Sequence, residues 1–207
     1  MGRGYVVEVE AWLSESDFTV IEVELKFPIQ TPETLASVRN RFIANGAVAH
    51  LVNVQSDEYL NDPLRDFAKQ DKALRIRSND GRYFMTFKGP CLDAVAKIRH
   101  EIEMPLESEA CAKQLKQAFL GIGFVAVAKV SKRRETMSIF FKEENVEICL
   151  DEVEEVGSFV EVELVIEDDG DVESAKQTLL SLAEQVGLSG PIKTSYLELL
   201  LDGRGEL

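Results

Sequence analysis

The chain has 207 residues, 45% of them hydrophobic, enough to bury one sizeable core or two small ones. Its formal net charge of −14 repels polyanions, which argues against nucleic acid and anionic membranes as partners and makes any basic site a local concentration. Three widely spaced cysteines, Cys91, Cys111 and Cys149, show neither metal-ligand spacing nor a disulfide framework; with no long apolar run and no secretory leader, a cytoplasmic location is expected.

Residues 1–19, with Val7-Glu8-Val9-Glu10, read as a loosely attached leader or an extra edge strand, without an assigned function. Residues 20–203 read as one domain. A strand is expected over 21–27. Thr31 then offers an N-cap with Pro32 at the first helical position, and an amphipathic helix runs to about Asn45, stopped by Gly46. Extended segments follow at 47–60 and 73–78, and Asn79-Asp80-Gly81 is a hairpin signal leading into 82–88. A strand over 96–104 precedes a helix over 108–120 that ends at Gly121 or Gly123. Strands over 124–135 and 136–141 reach a turn at Glu143-Glu144-Asn145. Strands over 146–153 and 159–166, a helix over 172–186 and a short helix over 195–201 complete the chain.

Alternate residues of a strand point to opposite faces. Glu22, Glu24 and Lys26 therefore share a face opposite Ile21, Val23, Leu25 and Phe27. The same parity groups Arg75 with Arg77, Thr86 with Lys88, and Lys97, Arg99, Glu101 and Glu103 with one another. It also groups Lys132 with Arg134, Glu147 and Cys149 with Asp151, and Glu161 with Glu163. An antiparallel sheet with one wet face explains this equally well. The charges, however, segregate by strand, glutamate on some and arginine or lysine on others. If the sheet curls until its charged faces converge, one wall is anionic and the opposite wall cationic. Carboxylate oxygens suit Mg²⁺ or Mn²⁺, and guanidinium and ammonium groups suit phosphates, so such a lumen suits a polyphosphate ester.

These residues also resemble a known family. Glu22-Val23-Glu24-Leu25-Lys26 is similar to the ExExK signature of the CYTH superfamily, the triphosphate tunnel metalloenzymes. Further matches follow in order: 73–77, Thr86-Phe87-Lys88-Gly89-Pro90, Lys132-Arg133-Arg134, Asp151-Glu152-Val153, 157–163 and 195–200. The stretch 57–67 looks most like the subgroup labelled class IV adenylyl cyclase-like; thiamine and inorganic triphosphatases are relatives. The fold so implied is α+β, an antiparallel barrel of about eight strands with a charged interior and helices packed outside.

The resemblance implies roles residue by residue. Glu22, Glu24, Glu161 and Glu163 would hold one or two Mg²⁺ or Mn²⁺ ions, with Asp151 joining them or positioning water. Lys26, Arg75, Arg77, Lys88, Lys132 and Arg134 would contact the triphosphate. Glu22, Glu24, Lys26 and Asp151 are the catalytic candidates, with Arg99, Glu101 and Glu103 as a second tier that organises the basic side chains. The implied substrate is a nucleotide or another triphosphate. Conversion of ATP to cyclic AMP and pyrophosphate ranks first, hydrolysis of inorganic, thiamine or nucleoside triphosphate second, and a non-catalytic polyphosphate-binding protein third.

His50, in an apolar strand, and His100, by parity on the outer face, read as structural. Cys149 lacks a partner base. An apolar stripe on Leu179, Leu182, Ala183 and Val186 serves either as a homodimer face or as the side that packs this helix on its own barrel, and the second is favoured.

Overall fold

A computed structural model describes residues 20–92, 96–167 and 170–206, with the backbone alone for Val20. The leader or edge strand expected over 1–19 lies outside the described residues. In chain order the elements are β1 (Val20–Ile29), α1 (Leu35–Ala44), β2 (Val48–Asn61), β3 (Ala73–Asn79), β4 (Arg82–Lys88), β5 (Lys97–Leu106), α2 (Glu109–Gly121), β6 (Val125–Phe141), β7 (Glu144–Val153), β8 (Gly157–Glu167), α3 (Val172–Gln185) and α4 (Tyr196–Arg204). The strands close into a barrel in the order β1-β5-β4-β3-β2-β6-β7-β8, and β8 returns to β1. Every neighbouring pair is antiparallel. The expected barrel with outer helices is therefore the observed architecture.

Local chemistry sets the element ends, with three departures from expectation. Helix α1 starts at Thr34 rather than Thr31. Thr34 Oγ1 accepts from the Ser37 N–H and Ser37 Oγ accepts from the Thr34 N–H, a reciprocal cap that satisfies two otherwise orphaned donors. β6 is one long strand, because its pairing with β7 continues unbroken from Lys132↔Val153 to Phe141↔Glu144 and no Gly or Pro interrupts it. The β6–β7 turn sits at Lys142-Glu143, both left-handed at φ 48° and 68°; this keeps Ile139 opposite the fully buried Val146. At the β3–β4 turn, Asp80 and Gly81 have φ of 47° and 80°, as a two-residue hairpin with the right twist requires.

The apolar faces point outward, under the helices. The largest core packs α1 and α3 over β1, β5, β7 and β8, with Val38, Phe42, Leu179 and Leu182 fully buried. Ala183 and Val186 are buried there too, so the apolar stripe of α3 is spent on its own barrel. Each such leucine contributes roughly 1.5–3 kcal/mol by leaving water. A second cluster lies on the inner side: Tyr196 and Leu200 of α4 pack against Tyr59, Val130 and Phe159, which share strand faces with Asp57, Lys132 and Glu161. A third places α2 beside Leu60, Leu74 and Ile76. Among the described residues, no helix is long and apolar enough to cross a membrane. With the apolar faces spent outside, the charged faces are left to fill the lumen.

Candidate active site

The inward-facing side chains line a cavity of about 490 Å³. Strands β1, β8 and β7 are neighbours and bring Glu22, Glu24, Glu161, Glu163 and Glu147 to one wall. Strands β3 and β6, separated by β2, bring Arg75, Arg77, Lys132 and Arg134 to the other. Lys26 stands on the acidic wall, and β5 carries both signs. Of the residues expected at the site, Glu22, Glu24, Lys26, Arg75, Arg77, Lys88, Arg99, Glu101, Glu103, Lys132, Arg134, Glu161 and Glu163 all line the cavity. Asp151 does not; it is fully buried behind the basic side chains.

Glu24 and Glu163 face each other across the β1–β8 ladder, and Glu22 lies two residues along on the same face. One carboxylate oxygen from each of these three lies within 4.8 Å of the others. Burial, reinforced by the negative charge of Glu22, pushes the Glu163 carboxyl well above its ordinary range. Glu24 Oε1 is buried 3.4 Å from Lys26 Nζ and 3.5 Å from Lys97 Nζ, yet neither ammonium is aligned for a hydrogen bond. Three crowded oxygen donors, one orphaned, fit a hard divalent cation. Glu161 is bound differently, with Lys26 Nζ at 3.2 Å and Arg134 as a second partner. Burial alone would raise its carboxyl, but these cations outweigh it and hold it well below the usual range.

Two buried aspartates order the cationic wall. Asp57 Oδ1 accepts from Arg77 Nε at 2.7 Å, and its Oδ2 accepts from Arg77 Nη2 at 2.8 Å and Arg75 Nη1 at 3.1 Å. Burial opposes ionisation, yet the two guanidinium groups keep the Asp57 carboxyl far below its ordinary value. Asp151 takes a paired contact from Arg134 (2.7 and 2.6 Å), one from Lys132 Nζ (3.0 Å) and one from the Tyr196 hydroxyl (2.9 Å). Tyr196 reaches it because the Ile192 N–H bonds the Lys26 carbonyl at 2.8 Å, stitching the C-terminal segment to β1. The Tyr196 ring then lies 4.1 Å from Lys26 Nζ and 5.1 Å from Lys132 Nζ. Lys88 bridges Glu101 and Glu22, the latter at 3.7 Å. Burial pushes Glu101 up to about 7 despite Lys88. Arg99 is held by Asp71 at 2.7 Å, and Glu103 accepts from Thr86 Oγ1 at 3.0 Å. Nε of Arg75 and of Arg99 is buried without an acceptor.

The sequence reading missed the polar face of β2. Asn53, Gln55, Asp57 and Tyr59 share the inner face, while Val52 and Val54 point outward. Gln55 is 5% exposed and Val54 60%, an inverted pattern that made β2 look like an ordinary apolar strand. The period-2 alternation was there to be read. Lys97, on the inner face by strand parity, joins the site through its proximity to Glu24. The Tyr196 contact carries no local signal. His50 is exposed and bonded to Ser138 Oγ at 2.6 Å, and His100 does not line the cavity. Cys149 is buried, and burial holds its thiol well above the usual range despite Arg134, which makes it a poor nucleophile.

Comparison with known proteins agrees with this geometry. A protein named "Putative adenylate cyclase" from Methanocaldococcus jannaschii is 34% identical over 186 residues, covering 87% of this chain and 98% of that one. One named "Adenylate cyclase CyaB" from Aeromonas hydrophila is 29% identical over 139 residues, 66% of each chain. A solved structure of a Pyrococcus horikoshii protein superposes with a TM-score of 0.75 at 32% identity, covering 87% of this chain and 98% of the other. The CYTH domain matches residues 20–196, the span that builds the barrel and seats Tyr196 in it, and the chain belongs to the CYTH family.

Proposed function

We infer that this chain is a divalent-metal-dependent enzyme that binds a triphosphate inside the barrel, and that its reaction is that of a class IV adenylate cyclase, ATP to cyclic AMP and pyrophosphate. The observation that carries the reading is the crowding of Glu22, Glu24 and Glu163 in the same cavity that Arg75, Arg77, Lys132 and Arg134 line, with Arg134 Nη1 3.8 Å from Glu163. A non-catalytic anion-binding protein would need the basic wall alone; three mutually repelling carboxylates cost stability unless a cation offsets them. The likeness to relatives named adenylate cyclases favours ATP as substrate.

Glu22, Glu24 and Glu163 would hold Mg²⁺ or Mn²⁺, with Glu161 at their flank. When bound, the ion supplies charge neutralisation at the phosphoryl oxygens. Lys26, Arg75, Arg77, Lys88, Lys132 and Arg134 grip the phosphates. Arg75, Arg77 and Arg134 are locked in place by Asp57 and Asp151, so little reorganisation is left for the reaction. Asp151 acts from behind this wall as a positioning residue, its oxygens already occupied by Arg134, Lys132 and Tyr196. In cyclisation the ribose 3′-hydroxyl attacks the α-phosphorus, its proton leaves to a neighbouring base, and pyrophosphate departs.

The test is product analysis after incubation with ATP and Mg²⁺ or Mn²⁺, alongside inorganic triphosphate. Cyclic AMP with equimolar pyrophosphate is expected. ADP and phosphate without cyclic AMP would overturn the cyclase reading and make the protein a triphosphatase. Binding without turnover of either compound would overturn the enzyme reading altogether.

A further inference from the structure

The loop over 62–72, between β2 and β3, brings the cavity a charge that the strands do not. Of the cationic side chains that line the cavity, all but Lys72 and Arg82 are ion-paired to a carboxylate among the described residues. Arg82 is exposed at the tip of the β3–β4 hairpin, six strand residues or about 20 Å from the end where Lys72 stands. Lys72 is half-buried, and its ammonium bonds the neutral amide oxygen of Gln70 at 2.9 Å. A phosphate must compete with a resident carboxylate for each paired cation, whereas Lys72 has no such partner to give up.

Two anchors hold this loop on the barrel. In its middle, Phe67 packs edge-on against Phe87 and Phe124, with ring centroids 6.4 and 5.9 Å away, and its N–H donates to Asn61 Oδ1 at 2.7 Å. At its end, Asp71 clasps β5 and the segment that leads into it. Its Oδ1 accepts from Arg99 Nη2 at 2.7 Å, its Oδ2 accepts from the Cys91 N–H at 2.8 Å, and its carbonyl accepts from Arg99 Nη1 at 3.3 Å. Residue 71 is left-handed, at φ 52°, a conformation that Asp tolerates better than most side chains. The Asp71 N–H donates to the Ala68 carbonyl at 3.2 Å and the Lys72 N–H to the Phe67 carbonyl at 2.8 Å, so Lys72 belongs to the same tight turn as the clasp. Arg99 Nη1 also meets the Gly89 carbonyl at 3.4 Å, which leaves this guanidinium engaged by backbone and loop.

Building on the triphosphate reading above, we propose that Lys72 is a further phosphate-binding residue and that the Asp71–Arg99 clasp positions it. Docking of the 62–72 loop and completion of the phosphate grip are then one event. The strands supply cations that carboxylates already hold in place, and the loop supplies one whose charge is left for the ligand.

The test is calorimetric titration of the full chain with inorganic triphosphate in excess chelator, where no turnover occurs. Lys72→Met should weaken binding about tenfold, the loss of one charge-assisted contact. Asp71→Gly keeps the left-handed backbone and deletes the carboxylate; it should weaken binding by a similar factor and speed amide hydrogen exchange at Cys91. The double variant should bind no more than about twofold more weakly than either single one, because both changes act through one ammonium. Affinity in Lys72→Met within about twofold of wild type would overturn the phosphate role. Effects that multiply in the double variant, or unchanged exchange at Cys91 in Asp71→Gly, would overturn the clasp. Failure of the wild-type protein to bind triphosphate would instead overturn the tunnel reading, and this proposal with it.

Discussion

Asp57 is the residue whose removal tests the electrostatic design of the barrel most directly. It is 3% exposed and accepts three charge-assisted hydrogen bonds, from Arg75 and twice from Arg77. In Asp57→Asn the side-chain shape is kept, but two guanidinium groups lose their counter-ion in a cavity that already holds Lys132 and Arg134. Breaking a buried ion pair costs about 3–5 kcal/mol. The arginine side chains retain 11% and 13% exposure to the cavity, which places the expected loss at the lower end, about 3 kcal/mol. For a chain of this length that corresponds to a fall in Tm of about 6–12 °C, read by calorimetry or circular dichroism at pH 7. The sign with pH follows from linkage. The folded carboxyl lies far below its unfolded value of about 3.9, so its contribution is fully present above that value and is lost as pH falls towards the folded one. The gap between wild type and variant should hold from about pH 8 to 5 and narrow below about 4. Added inorganic triphosphate should close part of the gap at pH 7, because it supplies the missing negative charge. A Tm within about 2 °C of wild type at pH 7 would refute the argument that Asp57 holds the cationic wall together.

Glu24→Gln should leave the fold intact by circular dichroism, abolish Mn²⁺ binding by calorimetry and lower turnover by roughly 10²-fold or more; full turnover would remove Glu24 from the metal site. Glu163 has a raised folded value, from burial and then Glu22, so its contribution is present below the unfolded value and lost as pH rises. In chelator, Tm should therefore decline as pH climbs from about 4.3, Mn²⁺ should reverse the decline, and Glu163→Gln should flatten it. Tyr196→Phe keeps the ring beside Lys26 but deletes the bond to Asp151. A loss of about 1 kcal/mol in urea unfolding is expected, with a larger proportional effect on kcat than on KM if Asp151 positions Lys132 and Arg134.

Much of this site was legible in one dimension. Alternation along 21–27, 73–78 and 157–163 correctly grouped Glu22 with Glu24, Arg75 with Arg77, and Glu161 with Glu163, because strand geometry alone dictates which side chains share a face. The hairpin at Asp80-Gly81 was equally readable, since two consecutive left-handed residues need that chemistry. What alternation leaves open is which face is inside. On β2 the exposed valines and buried amides reverse the usual expectation, and only closure of the sheet, with α2 covering the end of β2 near Leu60 but leaving Val52 and Val54 exposed, decides it. Closure likewise brings Glu163 of β8 against Glu24 of β1 and sinks Asp151 behind Arg134 instead of into the cavity. Thr34 displaced Thr31 as the cap of α1 for a local reason, the reciprocal bond with Ser37. Residue order alone assigns the charges to their strand faces, whereas barrel closure sets which charges meet: facing is a property of the backbone repeat, and proximity across a barrel depends on strand order and register.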